Sequence, residues 1–134
     1  MQTLTIYTDG GARGNPGPAA VGAFLQLGEW THEHKRTIGD ATNNVAEYTA
    51  VLDALTLLPE VPGEIEEIAL FLDSELVVRQ LLGQYRVKDA TLQLLHGQAV
   101  TALRSSGKKY RITHVPRAQN ARADALVNQA LDGQ

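Results

Sequence analysis

The chain of 134 residues is 43% hydrophobic and 20% charged, with a formal net charge of −3 and no cysteine. Residues 1–134 suit one domain that buries about two-thirds of its unfolded surface, and the composition excludes disorder. Without cysteine there are no disulfides, thiolate zinc sites or thiol nucleophiles; with no run near the roughly 20 apolar residues of a membrane span and no leader pattern, a soluble cytoplasmic protein is expected.

Thr3 to Gly17 reads TLTIYTDGGARGNPG. Leu4, Ile6 and Thr8 alternate with Thr5 and Tyr7, a strand pattern rich in β-branched and aromatic residues. It ends on Asp9, followed by two glycines that leave the backbone bare, and Gly14 to Pro18 is turn chemistry. Ala19 to Leu27 reads as a second strand, Gly28-Glu29 as a tight turn and Trp30 to Ile38 as a third strand. Neither face of that third strand is apolar, which predicts a sheet edge. His32 and His34 share its parity, but such a pair is more simply read as solvated than as a metal site.

The period then becomes helical. Tyr48, Val51, Leu52, Leu55 and Leu58 recur at three- and four-residue steps before Pro59, with Asn43 or Asn44 as the cap. Glu47 stands three residues after Asn44, the spacing of a capping box. Its alternative role is to point where Asp9 points. Ile65 to Leu72 is a second apolar strand ending on an aspartate, Asp73, which also reads as a cap for a short helix from Leu76 to Leu82. Thr91 to Leu103 is a helix, Lys108 to Val115 a strand, Pro116 to Gln119 a loop, and Asn120 to Leu131 a helix with Asp124 near its start. His114, ending the last strand, is expected to be packed or hydrogen-bonded.

The order βββαβααβα predicts an α/β fold. Three antiparallel strands open a five-stranded mixed sheet, and later strands join through right-handed crossovers with helices on both faces. In such sheets ligands sit beyond the carboxyl ends of the strands, where Asp9 and Asp73 fall. Asp9, Glu47, Asp73 and Asp124 all stand at element boundaries. Carboxylates brought together repel unless divalent cations hold them, and Mg²⁺ takes a few carboxylates and completes its shell with water and phosphate. Residues 1–77 carry 12 acidic and 3 basic side chains, residues 78–134 carry 3 and 9. The second half can therefore supply phosphate contacts and the first can gather cations.

Four stretches, YTDGGARGNPGP at 7–18, TNNVAEY at 42–48, LDSELVV at 72–78 and NARADALVNQA at 120–130, closely resemble type 1 ribonuclease H. Each carries one acid, in the family's order, across nearly the whole chain. The resemblance implies a ribonuclease H-like fold and a monomeric endonuclease. Its members cut the RNA strand of RNA–DNA hybrids with two Mg²⁺ or Mn²⁺ ions, leaving 5′-phosphate and 3′-hydroxyl ends. It makes Asp9, Glu47, Asp73 and Asp124 the metal ligands. It places the Gly10, Gly11 and Ala12 backbone and the Asn43 and Asn44 side chains at the minor groove, where 2′-hydroxyls distinguish RNA from DNA. Asn15 and Thr42 match positions that hold the DNA strand.

Two departures accompany it. The loop VPRAQN at 115–120 lacks the histidine many members carry there, which makes Arg117 the candidate to attract a phosphate in its place. The basic, Trp-bearing protrusion is also missing, since Gly83 to Ala90 holds only Arg86 and Lys88. Some short-loop members also cut double-stranded RNA. The rival expectations are a non-catalytic hybrid- or RNA-binding module, and a related nuclease of the same fold.

Overall fold

The computed structural model describes residues 2–134. Five strands, β1 (Thr3–Ala12), β2 (Gly17–Leu27), β3 (Trp30–Ala41), β4 (Glu67–Leu72) and β5 (Lys109–His114), form one sheet in the order β3-β2-β1-β4-β5. The first three strands are antiparallel, and β4 and β5 run parallel to β1. Helices α1 (Asn43–Thr56), α2 (Glu75–Leu81) and α3 (Ala90–Ser105) lie on one face, and α4 (Ala121–Leu131) crosses β1, β2 and β3 on the other. This is the mixed α/β architecture expected from the order of elements. Among the described residues no helix is long and apolar enough to cross a membrane.

The main core lies between the sheet and α1–α3. Leu4, Ile6, Ile68 and Leu70 meet Tyr48, Val51, Val77 and Leu103 there, all buried. The Tyr48 hydroxyl, carried into this core, donates to Gln80 Oε1 at 2.6 Å. On the other face Ala123, Leu126 and Val127 of α4 are buried against the sheet, while the cross-strand pair Tyr7 and Phe71 stacks at 5.0 Å and stays half-buried.

Several boundaries differ from the sequence expectation. β2 begins at Gly17 and β3 runs on to Ala41, because Gly17, Pro18 and Ala19 pair with Ala41, Asp40 and Gly39 beyond a shift of register at Ala19/Ala20. β3 is the predicted edge, but His34 is not merely solvated: its Nε2 lies 2.8 Å from Asp53 Oδ2, which Arg36 also contacts. His114 is exposed rather than packed. The Pro116–Gln119 loop is in part a 3-10 turn, Arg117–Asn120. The cap of α1 is Thr42, whose Oγ1 accepts from Val45 N at 3.2 Å; neither Asn43 nor Asn44 caps it. With the helix starting there, Glu47 falls beyond the capping position and the capping-box role is excluded.

Candidate active site

The site forms where the sheet splits. Pairing of β1 with β4 ends at Tyr7 and Phe71, whereas β1 continues beside β2 to Ala12. Asp9 stands on the strand that continues, and Asp73 follows the last residue of the strand that stops. Asp73 is not the cap of α2. Ser74 takes that role, its Oγ accepting from Val77 N at 3.3 Å, so the Asp73 carboxylate is left to face the split.

Glu47 reaches the same point from the first turns of α1. It arrives because α1 lies directly on β1: a Cβ added at Gly10 would come within 2.2 Å of the Ala46 backbone. The bare backbone of Gly10 is thus demanded by the helix. Gly11 is different, since a Cβ there would meet nothing nearer than Val127 Cγ1 at 3.7 Å. On the opposite face Gly22, the cross-strand partner of Asp9, has the equivalent role for α4; a Cβ there would lie 2.6 Å from Ala123 O. That approach delivers Asp124, one residue further along α4, to the same cleft.

Asp9, Glu47 and Asp73 each offer a carboxylate oxygen within 4.8 Å of the others. Asp9 is 6% exposed and Glu47 7%. Glu47 Oε1 accepts from Gly10 N at 3.4 Å, but its buried Oε2 has no partner. Burial pushes the Asp9 carboxyl up to about 7, a rise opposed by the neighbouring Glu47 carboxyl and reinforced by the charges of Asp73 and Asp124. Glu47 is pushed well above the ordinary carboxylate range, first by burial and then by the charge of Asp9. A set of oxygen donors this close, costly to ionise alone and with one oxygen orphaned, fits a hard divalent cation. Asp9, Glu47 and Asp73 would hold it, with Asp124, half-buried, at the edge of the same cleft.

The cleft has a volume of about 470 Å³ and is also bordered by Gly10, Gly11, Ala12, Asn43, Asn44 and Arg117. Asn43 Oδ1 accepts from Ala12 N at 2.9 Å, and Asn15 Oδ1 accepts from Asn43 N at 3.0 Å. These bonds tie the turn after β1 to the start of α1. Asn15 and Thr42 themselves stand outside the cleft lining, both exposed. Arg117 is 81% exposed, its Nε 4.0 Å from Asp73 Oδ2.

Sequence reasoning missed two contributors. Arg13 borders the cleft and is held by Asp132 at 2.6 Å and Asn128 at 3.4 Å, partners more than a hundred residues away. Asn120 is 1% exposed beneath the acids; the sequence places it at the start of the last helix and of the stretch NARADALVNQA, but assigns it no role. It makes no cap bond.

Residues 7–130 match a family model described as reverse transcriptase-like. The chain is 46% identical over 128 residues to ribonuclease HI of Halobacterium salinarum, covering 94% of this chain and 63% of that protein. It is 43% identical over 136 residues to a bifunctional protein of Mycobacterium tuberculosis, covering 96% of this chain and 35% of the relative. The chain therefore spans only part of these relatives. A ribonuclease H of Clostridium botulinum is 33% identical over 155 residues, with 98% of this chain and 97% of that protein covered. Among solved structures, LC11-RNase H1, isolated from compost by a metagenomic approach, superimposes with a TM-score of 0.92 at 43% identity, covering 99% and 98% of the two chains. Its complex with an RNA/DNA hybrid gives 0.83 at 40% identity, covering 97% of each chain.

Proposed function

We propose a function from one premise: the chain belongs to the ribonuclease H family. We infer that it is an endonuclease hydrolysing the RNA strand of RNA–DNA hybrids and leaving 5′-phosphate and 3′-hydroxyl ends. The observation that carries this reading is the acid cluster, three carboxylates within 4.8 Å, two of them buried and one with an orphaned oxygen. A module that only bound a polyanion would be weakened by such charge facing phosphate. The hybrid is favoured as substrate because a relative of the same fold and 40% identity was solved bound to one.

In this reading Asp9, Glu47, Asp73 and Asp124 bind two Mg²⁺ or Mn²⁺ ions. Divalent cations bound there supply Lewis-acid activation of a water and stabilise the leaving 3′ oxygen. The chain's own part is placement. Gly11 and Ala12 offer backbone without a large side chain, and Asn43 and Asn44 offer amides that both donate and accept, as a 2′-hydroxyl requires. Thr42 and Asn15, outside the acidic cleft, are left for the DNA strand. Arg117, exposed beside Asp73, attracts a phosphate.

The test uses one end-labelled RNA strand paired with DNA, with RNA, or unpaired, each with Mg²⁺, Mn²⁺ or chelator, beside the Asp9→Asn protein. Metal-dependent cuts in the hybrid, lost in the variant while it keeps its fold, are expected. Binding without cutting under every metal overturns the nuclease reading, and cuts in the RNA duplex widen the substrate class.

A further inference from the structure

Three buried side-chain atoms lack a hydrogen-bond partner among the described residues: Thr8 Oγ1, Glu47 Oε2 and Asn120 Oδ1. All three lie at the split between β1 and β4. Native interiors tolerate few such atoms, so their concentration here calls for a cause. For Glu47 the cause is the cation reading. Asn120 has a different one.

Past the Tyr7–Phe71 pair, β1 loses its parallel neighbour. The Leu72 carbonyl, next along β4, is taken by Val115 N at 2.9 Å. The Thr8 carbonyl is met instead by a side chain, with Asn120 Nδ2 donating to it at 2.9 Å. The same nitrogen donates to Asp73 Oδ2 at 3.3 Å. Both amide hydrogens are thereby used, one on the backbone just before Asp9 and one on Asp73 itself. Asn120 also leads directly into α4, which carries Asp124.

We propose that Asn120 is a positioning residue: its carboxamide replaces the missing strand at the split and sets the separation and orientation of Asp9 and Asp73. This rests on reading the acids as a cation site. Two carboxylates facing each other across the split repel, and a donor shared between one strand and the other's carboxylate opposes that spreading. The bond to Asp73 is charge-assisted and directional, so it also selects which carboxylate oxygen is left for a ligand. A buried asparagine with an unpaired Oδ1, where an apolar residue would pack without that loss, fits a positioning role.

Asn120→Ala removes the amide, and Asn120→Leu keeps its shape while removing both its donor nitrogen and its oxygen. Mn²⁺ binding to each, without nucleic acid, would be measured by calorimetry beside wild type and Asp9→Asn, with circular dichroism to report the fold. Folded variants whose Mn²⁺ affinity falls by about tenfold or more are expected, with KM for hybrid within about twofold and kcat partly recovered at high metal. Unchanged Mn²⁺ affinity in a folded variant overturns the proposal. So does failure of both variants to fold, which would make the role structural; if only Asn120→Ala unfolds, Asn120→Leu decides by the same criterion. Wild-type protein that binds no Mn²⁺ overturns the cation reading beneath it, a result distinct from any difference between wild type and variants.

Discussion

The two faces of the sheet hold their helices by different means. On the α1 face, Leu4, Ile6, Leu70, Tyr48 and Val51 are wholly buried under three helices that also pack on one another. On the α4 face a single helix packs through Ala123, Leu126 and Val127 around Gly22, and its margins are held by polar contacts near solvent. Arg13 meets Asp132 at 2.6 Å, Lys35 donates to Gln129 Oε1 at 3.1 Å, and Arg122 lies 4.3 Å over the Phe24 ring. Such contacts are individually weak and screened by salt. Asp9, Glu47 and Asp73 thus belong to the body of the protein, with Glu47 fixed by the same helix that closes the core. Asp124 rides on the helix that is less firmly held. On the proposed reading, a site that must admit a bulky polyanion gains from this division, because three of the proposed ligands stay preorganised while the fourth approaches from the side.

The sharpest way to break the comparison is to push each helix off its glycine. Gly10→Ala drives a methyl into the Ala46 backbone, which cannot yield without moving α1 and the core behind it. Its expected cost is at least about 3 kcal/mol in urea unfolding, at or beyond the upper end for overpacking, with cleavage lost as Glu47 is displaced. A Gly10→Ala protein of normal stability would mean that α1 is not the rigid side.

The next effect is electrostatic and centres on Asp9, whose charge also acts on Glu47. A carboxyl raised from 3.8 to about 7 in the fold binds more protons folded than unfolded between those values. Its stabilising contribution is therefore complete below about pH 3.8 and is lost as pH rises through about 7. In chelator, Asp9→Asn should gain on wild type as pH rises across that window, by on the order of 2–4 kcal/mol, then hold level. A pH-independent difference between the two melting curves would show that Asp9 titrates normally. Added Mg²⁺ should reverse the trend for wild type, since cation binding favours the ionised form.

Much of this was legible in the chain. Two apolar strands ending on Asp9 and Asp73, in an order that makes them parallel neighbours, place both carboxylates at one end of the sheet before any coordinate is known. Glu47 was ambiguous because a capping box and a ligand share the same spacing; Thr42 resolves it by taking the cap of α1, as Ser74 resolves Asp73 by taking that of α2. Gly22 was not legible. It lies in the apolar run AAVGAFL, and the need for its missing side chain comes from Ala123 and Leu126, about a hundred residues later. Asn120 and Arg13 were hidden likewise, since their partners Thr8, Asp73 and Asp132 are remote in sequence and no local period records them.

Gly22→Ala tests the other side. Its added methyl meets Ala123 O and Leu126 Cβ, but α4 can lift because little is packed behind it. The expected cost is about 1–2 kcal/mol, with the protein folded and cleavage falling more than stability would suggest, as Asp124 moves away from the cleft. If Gly22→Ala proves as destabilising as Gly10→Ala, the faces are equally rigid and the proposed division fails.

The smallest effect is expected at Arg117, which approaches the acids from the turn leading into α4. It is 81% exposed and 4.0 Å from Asp73 Oδ2, so water screens it and it contributes little to the fold. On the proposed reading its value lies in the charge it presents to a phosphate at the cleft. Arg117→Ala should leave the melting temperature and Mn²⁺ affinity essentially unchanged and lower kcat by roughly tenfold, well short of the 10²–10³ that a buried, preorganised donor commands. Arg117→Lys should restore part of that loss, because it keeps the charge without the fork. Equal losses of Mn²⁺ affinity and turnover in Arg117→Ala would place the arginine in the support of Asp73 instead, beside Asn120.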